Sequence, residues 1–192
     1  MPYPKNHKQK SREAIIQSAS RAFRKSGIDS VSVPKIMKAA GLTHGGFYAH
    51  FESKDQLVAE ACLDGMKETI GFFRKIAKNL TPSESLIKII EIYLSMEHLH
   101  KPEQGCVLPT LGSEVRQQSD LVRNSYTESL HELIDLLREF LPESYKNEAI
   151  FIVSSMVGAI MLARAINDPD MSETIIVTCQ EQLKVHIRSL FK

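Results

Sequence analysis

The chain has 192 residues, 43% of them hydrophobic, which is enough for one or two small domains with closed cores. Three scattered cysteines, Cys62, Cys106 and Cys179, lack CxxC spacing, which argues against a disulfide framework and for reduced thiols in a cytoplasm. No apolar run reaches the roughly 18–20 residues of a membrane span, and the basic start MPYPKNHKQK lacks the apolar stretch of a secretory signal. The net charge of +1 hides an asymmetry: residues 1–60 carry ten Lys or Arg against five Asp or Glu, and the remainder fourteen against eighteen. A basic head on an acidic body fits a polyanionic partner for the head, with chance partition of surface charge as the alternative.

In chain order, Ala14, Ile15, Ala19, Ala22 and Phe23 recur at spacings of three and four, predicting a helix over about 9–25 with Gly27 as its stop. A second helix is expected from Ser32, whose hydroxyl can cap free amides, with Pro34 in the first turn. Val33, Ile36, Met37 and Ala40 form its inner face, and Gly41 ends it. Thr43 is read as the cap of a short third helix with Phe47 and Phe51 pointing inward, and Ser53 as the cap of a long fourth beginning at Lys54.

The stretch AAGLTHGGFYAHFESKDQL places two glycines, Gly45 and Gly46, where the periodicity asks for helix. Glycine inside a helix costs about 1 kcal/mol against alanine, so a pair needs a reason. Two short helices joined by a tight turn containing Gly41 form a helix-turn-helix, whose second helix enters the DNA major groove. On that reading the glycines lie on the outer face, where small residues let the backbone approach the nucleic acid closely. The alternative is a flexible kink in a surface loop. Lys5, Lys8 and Lys10 are read either as an arm reaching the minor groove or as a tail without fixed structure.

The segment REAIIQSASRAFRKSGIDSVSVPKIMKAAGLTHGGFYAHFESKDQL resembles the DNA-binding domain of the TetR family of bacterial transcriptional regulators. Ala19, Phe23, Gly27, Ser32-Val33, Ile36, Ala40-Gly41, Gly46-Phe47-Tyr48, His50-Phe51, Ser53-Lys54 and Leu57 carry the resemblance. It implies that Ser32 bonds a phosphate, that Thr43, His44, Gly45 and Gly46 face bases, and that Tyr48, His50 and Lys54 clamp phosphates. The chemistry agrees, because these donors and helix N-termini suit phosphate oxygens. Phe47 and Phe51 are expected in the core. The implied division is a DNA-binding domain over 1–53 and a ligand-binding and dimerisation domain over 54–192.

The rest of the chain reads as helix. One is expected from Lys54 to about Asn79, and another, capped by Ser83, through ESLIKIIEIYLSMEHLH. EQGCVLPTLGSEV should hold one short helix at most, followed by a long one from about Asp120 to Phe140. AIFIVSSMVGAIMLARAI is apolar nearly all round and should be buried on more than one side, and a last helix spans about Ser172 to Leu190. The small residues Ser154, Ser155, Gly158 and Ala159 would allow close helix packing, either within the monomer core or at a dimer interface. The resemblance implies the latter, a four-helix bundle from the last two helices of each subunit.

Tyr93, Met96, Tyr126, Met156 and Met161 are candidates for lining a ligand pocket, or else plain core. Cys106 follows "EHLHK", where His98, His100 and Lys101 would favour its thiolate; it is either an electrophile or oxidant sensor or a small buried thiol. A Cys after Gly at this place also resembles a TetR subgroup, some of whose members sense electrophiles or oxidants. Cys62 and Cys179 are read as packing residues. His98 and His100 form an HxH without supporting carboxylates or cysteines, so no metal and no cofactor is expected. The resulting expectation is an all-α, cytoplasmic, homodimeric regulator, a repressor rather than an enzyme. It would bind a palindromic double-stranded operator, be released by a small-molecule or electrophile signal, and have no membrane partner. An all-helical thiol or metal enzyme using His98, His100 and Cys106 is the alternative.

Overall fold

The computed structural model describes residues 5–192, and their regular structure is all helix, with no strand. The helices are α1 (Lys5–Ser26), α2 (Val33–Ala39), a 3-10 helix (His44–Ala49), α3 (Lys54–Ala77), α4 (Pro82–Tyr93), α5 (Met96–His100), α6 (Val107–Val115), α7 (Asp120–Phe140), α8 (Glu148–Ala165) and α9 (Pro169–Leu190). They form two compact units. One holds the described residues up to Lys67 together with Cys106–Ser129, the other Glu68–Gly105 together with Leu130–Lys192. Packing therefore divides the chain within α3 and α7, whereas the expected division at 53/54 is one of roles.

In the first unit α1 buries Ile15, Ala19 and Phe23, the stripe read from its periodicity, and packs against α2 and α6. Gly27 ends it in the left-handed region at φ +79°, its amide donating to Phe23 O at 2.8 Å, a conformation that costs glycine nothing. Gly41 does the same for α2 at φ +72°. Lys8 and Lys10 lie in the first turns of α1, which begins at Lys5, so both readings of them, a minor-groove arm and a tail without fixed structure, give way to helix; the Lys5 side chain lies outside the described residues. Gly65 lets α3 touch its neighbours, for a Cβ there would sit 2.7 Å from Val107 Cγ1 and 2.8 Å from Ser20 Oγ.

In the second unit α4 starts two residues earlier than Ser83 suggested. Thr81 is the cap, in a reciprocal capping box with Glu84, because Pro82 fits the first turn where no N–H is required. The helix expected to run on through His100 breaks at Leu94, and Ser95 caps α5 by accepting from His98 N at 3.1 Å. Arg164 from α8 donates to the carbonyls of Leu99 (3.2 Å) and His98 (2.5 Å), matching a cation to the end of α5. α8 corrects one expectation: its 18 residues are long and apolar enough, by length and composition, to cross a membrane. Its two faces account for that composition. Ala149, Ile152, Val153, Met156, Ala159, Ile160 and Ala163 are buried, with α9 as the main neighbour, while Ile150, Phe151 and Leu162 stay exposed.

Two glycines of α3 should respond oppositely to alanine. Gly65→Ala, pressed between α1 and α6, should destabilise the protein by about 1–3 kcal/mol, the usual range for overpacking. Gly71→Ala, exposed and with open space where its Cβ would stand, should stabilise it by up to about 1 kcal/mol. Denaturant unfolding of the two variants checks both signs.

Candidate nucleic-acid interface

The segment from Leu42 to Ser53 is anchored from inside by two phenylalanines. Phe47 and Phe51 are 1% and 2% exposed, and their rings stack with centroids 5.5 Å apart and 24° between planes. The Arg12 guanidinium lies 4.7 Å from the Phe51 centroid and pairs with Glu60 at 2.6 Å, so α1, this segment and α3 are tied together there. With the inner face so occupied, the outer face is left to Thr43, His44, Gly45 and Tyr48, all exposed, with Gly46 half-buried. Tyr48 is 73% exposed and its ring meets Phe47 edge-on at 5.2 Å, which holds the phenol outward.

The expected third helix is a 3-10 turn rather than an α-helix. Neither glycine is required by the fold. Both keep negative φ; a Cβ on Gly45 would meet nothing within 4 Å, and one on Gly46 would make only ordinary contacts with Met37 Cε (3.7 Å) and Thr43 Oγ1 (3.8 Å). The caps expected of Ser32 and Thr43 are not made. Each residue has the extended conformation of a helix start, but neither hydroxyl accepts from a helix amide. Both side chains are exposed at the outer ends of their helices, where amides and hydroxyls suit an anion.

His50 and Lys54 differ from simple phosphate clamps. The His50 ring is half-buried, its Nδ1 has no hydrogen-bond partner, and burial, then Lys8 and Arg12, hold its pKa below the usual histidine value. Lys54 Nζ donates to Ile28 O at 2.8 Å, which ties α3 to the turn between α1 and α2. Lys35 and Lys38, exposed on α2, extend the cationic surface; their three-residue spacing after Ser32 is the sequence signal that identifies them.

The ligand candidates fall into two groups. Tyr93 and Met96 belong to the second unit, Cys106 and Tyr126 to the first. Tyr93 is 1% exposed, edge-on to His98 at 4.7 Å. Tyr126 donates its hydroxyl to Leu108 O at 3.1 Å, and burial, with Cys106 and Cys62 nearby, pushes its pKa up to about 12. Cys106 is 2% exposed at the start of α6. The cationic surroundings expected for it weaken at His98, whose half-buried ring contacts Tyr93 O at 2.6 Å through Nδ1 and whose pKa is pushed down by desolvation to about 4, so it is neutral near pH 7. Cys62, with its thiol pushed up to about 11 by burial, lies 3.5 Å from Ser129 Oγ. Among the described residues no three His, Cys, Asp or Glu side chains group as a metal site.

Residues 15–61 match the model of the bacterial regulatory proteins of the tetR family. The regulator TtgR of Pseudomonas putida is 42% identical over 65 residues, 34% of this chain, and that match spans 30% of TtgR's own length. The regulator LmrA of Bacillus subtilis is 29% identical over 164 residues, covering 80% of this chain and 86% of its own. A TetR-family regulator from Cytophaga hutchinsonii shares the fold with a TM-score of 0.80 at 20% identity, over 99% of this chain and 98% of its own. Residues 15–61 thus carry the helix-turn-helix DNA-binding domain of the TetR family of bacterial regulatory proteins, and the chain as a whole shares the fold of TetR-family regulators.

If the fold leaves Gly45 and Gly46 free, replacing them should not harm it. Gly45→Ala and Gly46→Ala should keep the wild-type midpoint of denaturation or raise stability by up to about 1 kcal/mol. Thermal and urea unfolding of both variants measures this; a loss beyond 1 kcal/mol would mean the chain itself needs the bare backbone.

Proposed function

We propose that the chain is a homodimeric repressor acting in the cytoplasm, in which residues 1–53 read a palindromic operator and residues 54–192 dimerise and bind an inducer. The observation that carries this is the outer face of 43–48, a backbone kept bare for no internal reason and flanked by hydroxyls that cap no helix. Thr43, His44, Gly45 and Gly46 would then face base edges, with Ser32, Tyr48 and His50 on phosphates. Lys54 contributes by holding the Ile28 carbonyl, with its remaining N–H groups available to a phosphate. Gel-shift titration against genomic fragments retained by the wild-type protein tests the reading.

Tyr48→Phe and His50→Ala should weaken binding to every sequence by about 1–3 kcal/mol, whereas His44→Ala should relax preference at one base pair. Gly45→Ala should bind more weakly while folding as well as wild type. Because His50 is held neutral in the free protein, a phosphate beside it would raise its pKa and draw in a proton. Affinity should therefore rise as pH falls from 8 through the interval between the bound and free pKa values, and level off below the free one. A His50→Gln variant should lose that part of the pH slope, which anisotropy titrations at pH 6 and pH 8 would report.

Dimerisation is read from α8 and α9. Ile150, Phe151 and Leu162 on α8, and Met171, Val177 and Val185 on α9, leave large apolar side chains exposed, and Gly158 has open space where its Cβ would stand. A second copy would cover these faces, giving the two-fold symmetry a palindrome needs. Gly158→Arg and Leu162→Glu should sediment as monomers at micromolar concentration and lose operator binding. The inducer is read as a small, largely apolar molecule held near Tyr93 and Met96 or near Tyr126. The burial of Cys106 gives an electrophile no open approach, which favours reversible binding over a thiol adduct.

A further inference from the structure

The turn between α1 and α2 is held by groups that the DNA reading does not use. Past Gly27 the amides of Ile28 and Asp29 have left the α1 ladder, and both donate to Glu114 Oε2 of α6, at 2.7 and 3.2 Å. Gln118 Nε2 adds a bond to Asp29 Oδ1 at 3.3 Å. On the other side of the same residue, the Ile28 carbonyl accepts from Lys54 Nζ at 2.8 Å, and the Ile28 side chain is 1% exposed. One residue is thus pinned by its N–H, its C=O and its side chain. The carboxylate also occupies the space a side chain at 27 would need, since a Cβ on Gly27 would stand 2.0 Å from Glu114 Oε1. Gly27 is therefore favoured by its positive φ, and a larger residue there would have to push the Glu114 carboxylate aside.

We propose that Glu114 is a positioning residue for operator recognition: its carboxylate fixes the 27–29 turn and, through it, the direction in which α2 and the 3-10 helix present Ser32 and residues 43–48. This rests on the DNA-binding reading above. Glu114 lies on α6, and the amides it accepts from, Ile28 and Asp29, belong to this turn. Without its acceptor the turn keeps Lys54 and the buried Ile28 but loses the restraint on its amides, so the recognition segment samples more orientations. Binding in one register then has to order it, and recognition of a defined sequence suffers. Attraction to any duplex depends on charge rather than register and is spared.

The experiment uses the full-length dimer with two probes, a genomic fragment selected by the wild-type protein and a random-sequence duplex of equal length. Glu114→Ala should lose about tenfold or more on the selected fragment, the scale of a coupling between separate sites, while binding the random duplex like wild type. Glu114→Gln should recover most of the affinity, because its amide oxygen can accept from the same two amides. Glu114→Asp, one methylene short, keeps the charge and guards against a variant that fails to fold. In NMR spectra the Ile28 and Asp29 amide protons should lie downfield in wild type and Glu114→Gln and move upfield in the Asp and Ala variants. Equal losses on both duplexes, unaltered affinity for the selected fragment, or failure of Gln to rescue would overturn the proposal. If wild type retains no genomic fragment at all, the DNA reading fails first and this proposal falls with it.

Discussion

The stacked pair of Phe47 and Phe51 sets what the rest of the head can do. A six-residue 3-10 helix cannot stand alone in water, since its few hydrogen bonds do not offset the entropy of ordering it. Burying two aromatic rings supplies that stability from one side and leaves the other side free of structural duty. Arg12, lying on Phe51 and paired with Glu60, carries the anchor into α1 and α3. The bare glycines, the outward Tyr48 and the uncapped hydroxyls all follow from having an inside so firmly held.

Charge is distributed by the same logic. Arg12 is drawn into the fold by Glu60, and Lys54 commits one proton to a carbonyl. Among the described residues of the head, Lys8, Lys10, Arg21, Lys25, Lys35 and Lys38 are exposed and, with the helix N-termini, available to a polyanion. Burial first, and then Lys8 and Arg12, hold the His50 pKa below its usual value, and the same two cations would attract a phosphate. In the second unit the division of faces recurs in apolar form, with α8 sealing one side against α9 and leaving the other uncovered.

Much of this was legible in the sequence, because local patterns carry it. Ile15, Ala19 and Phe23 marked the inner face of α1, Gly27 and Gly41 marked helix ends, and Asp120 to Phe140 was bounded as α7 proves to be. What was not legible is long-range or competitive. Glu114 meets Ile28 across 86 positions, and Lys54 meets it across 26, distances at which no periodicity signals a partner. Thr81 took the cap that Ser83 was expected to supply because a proline between them suits the first turn. Ser32 and Thr43 look like caps in sequence, yet their hydroxyls make no such bond. The apolar character of α8 hid two different faces, one inside the unit and one outside it.

The central claim is that a face left bare by the fold reads one DNA sequence, and selection of genomic fragments by the full-length protein tests it most directly. The account predicts enrichment of fragments sharing a palindrome whose half-sites lie about one helical turn apart, with affinity falling steeply as salt rises. Retained fragments without a common sequence, or binding indifferent to salt, would contradict it.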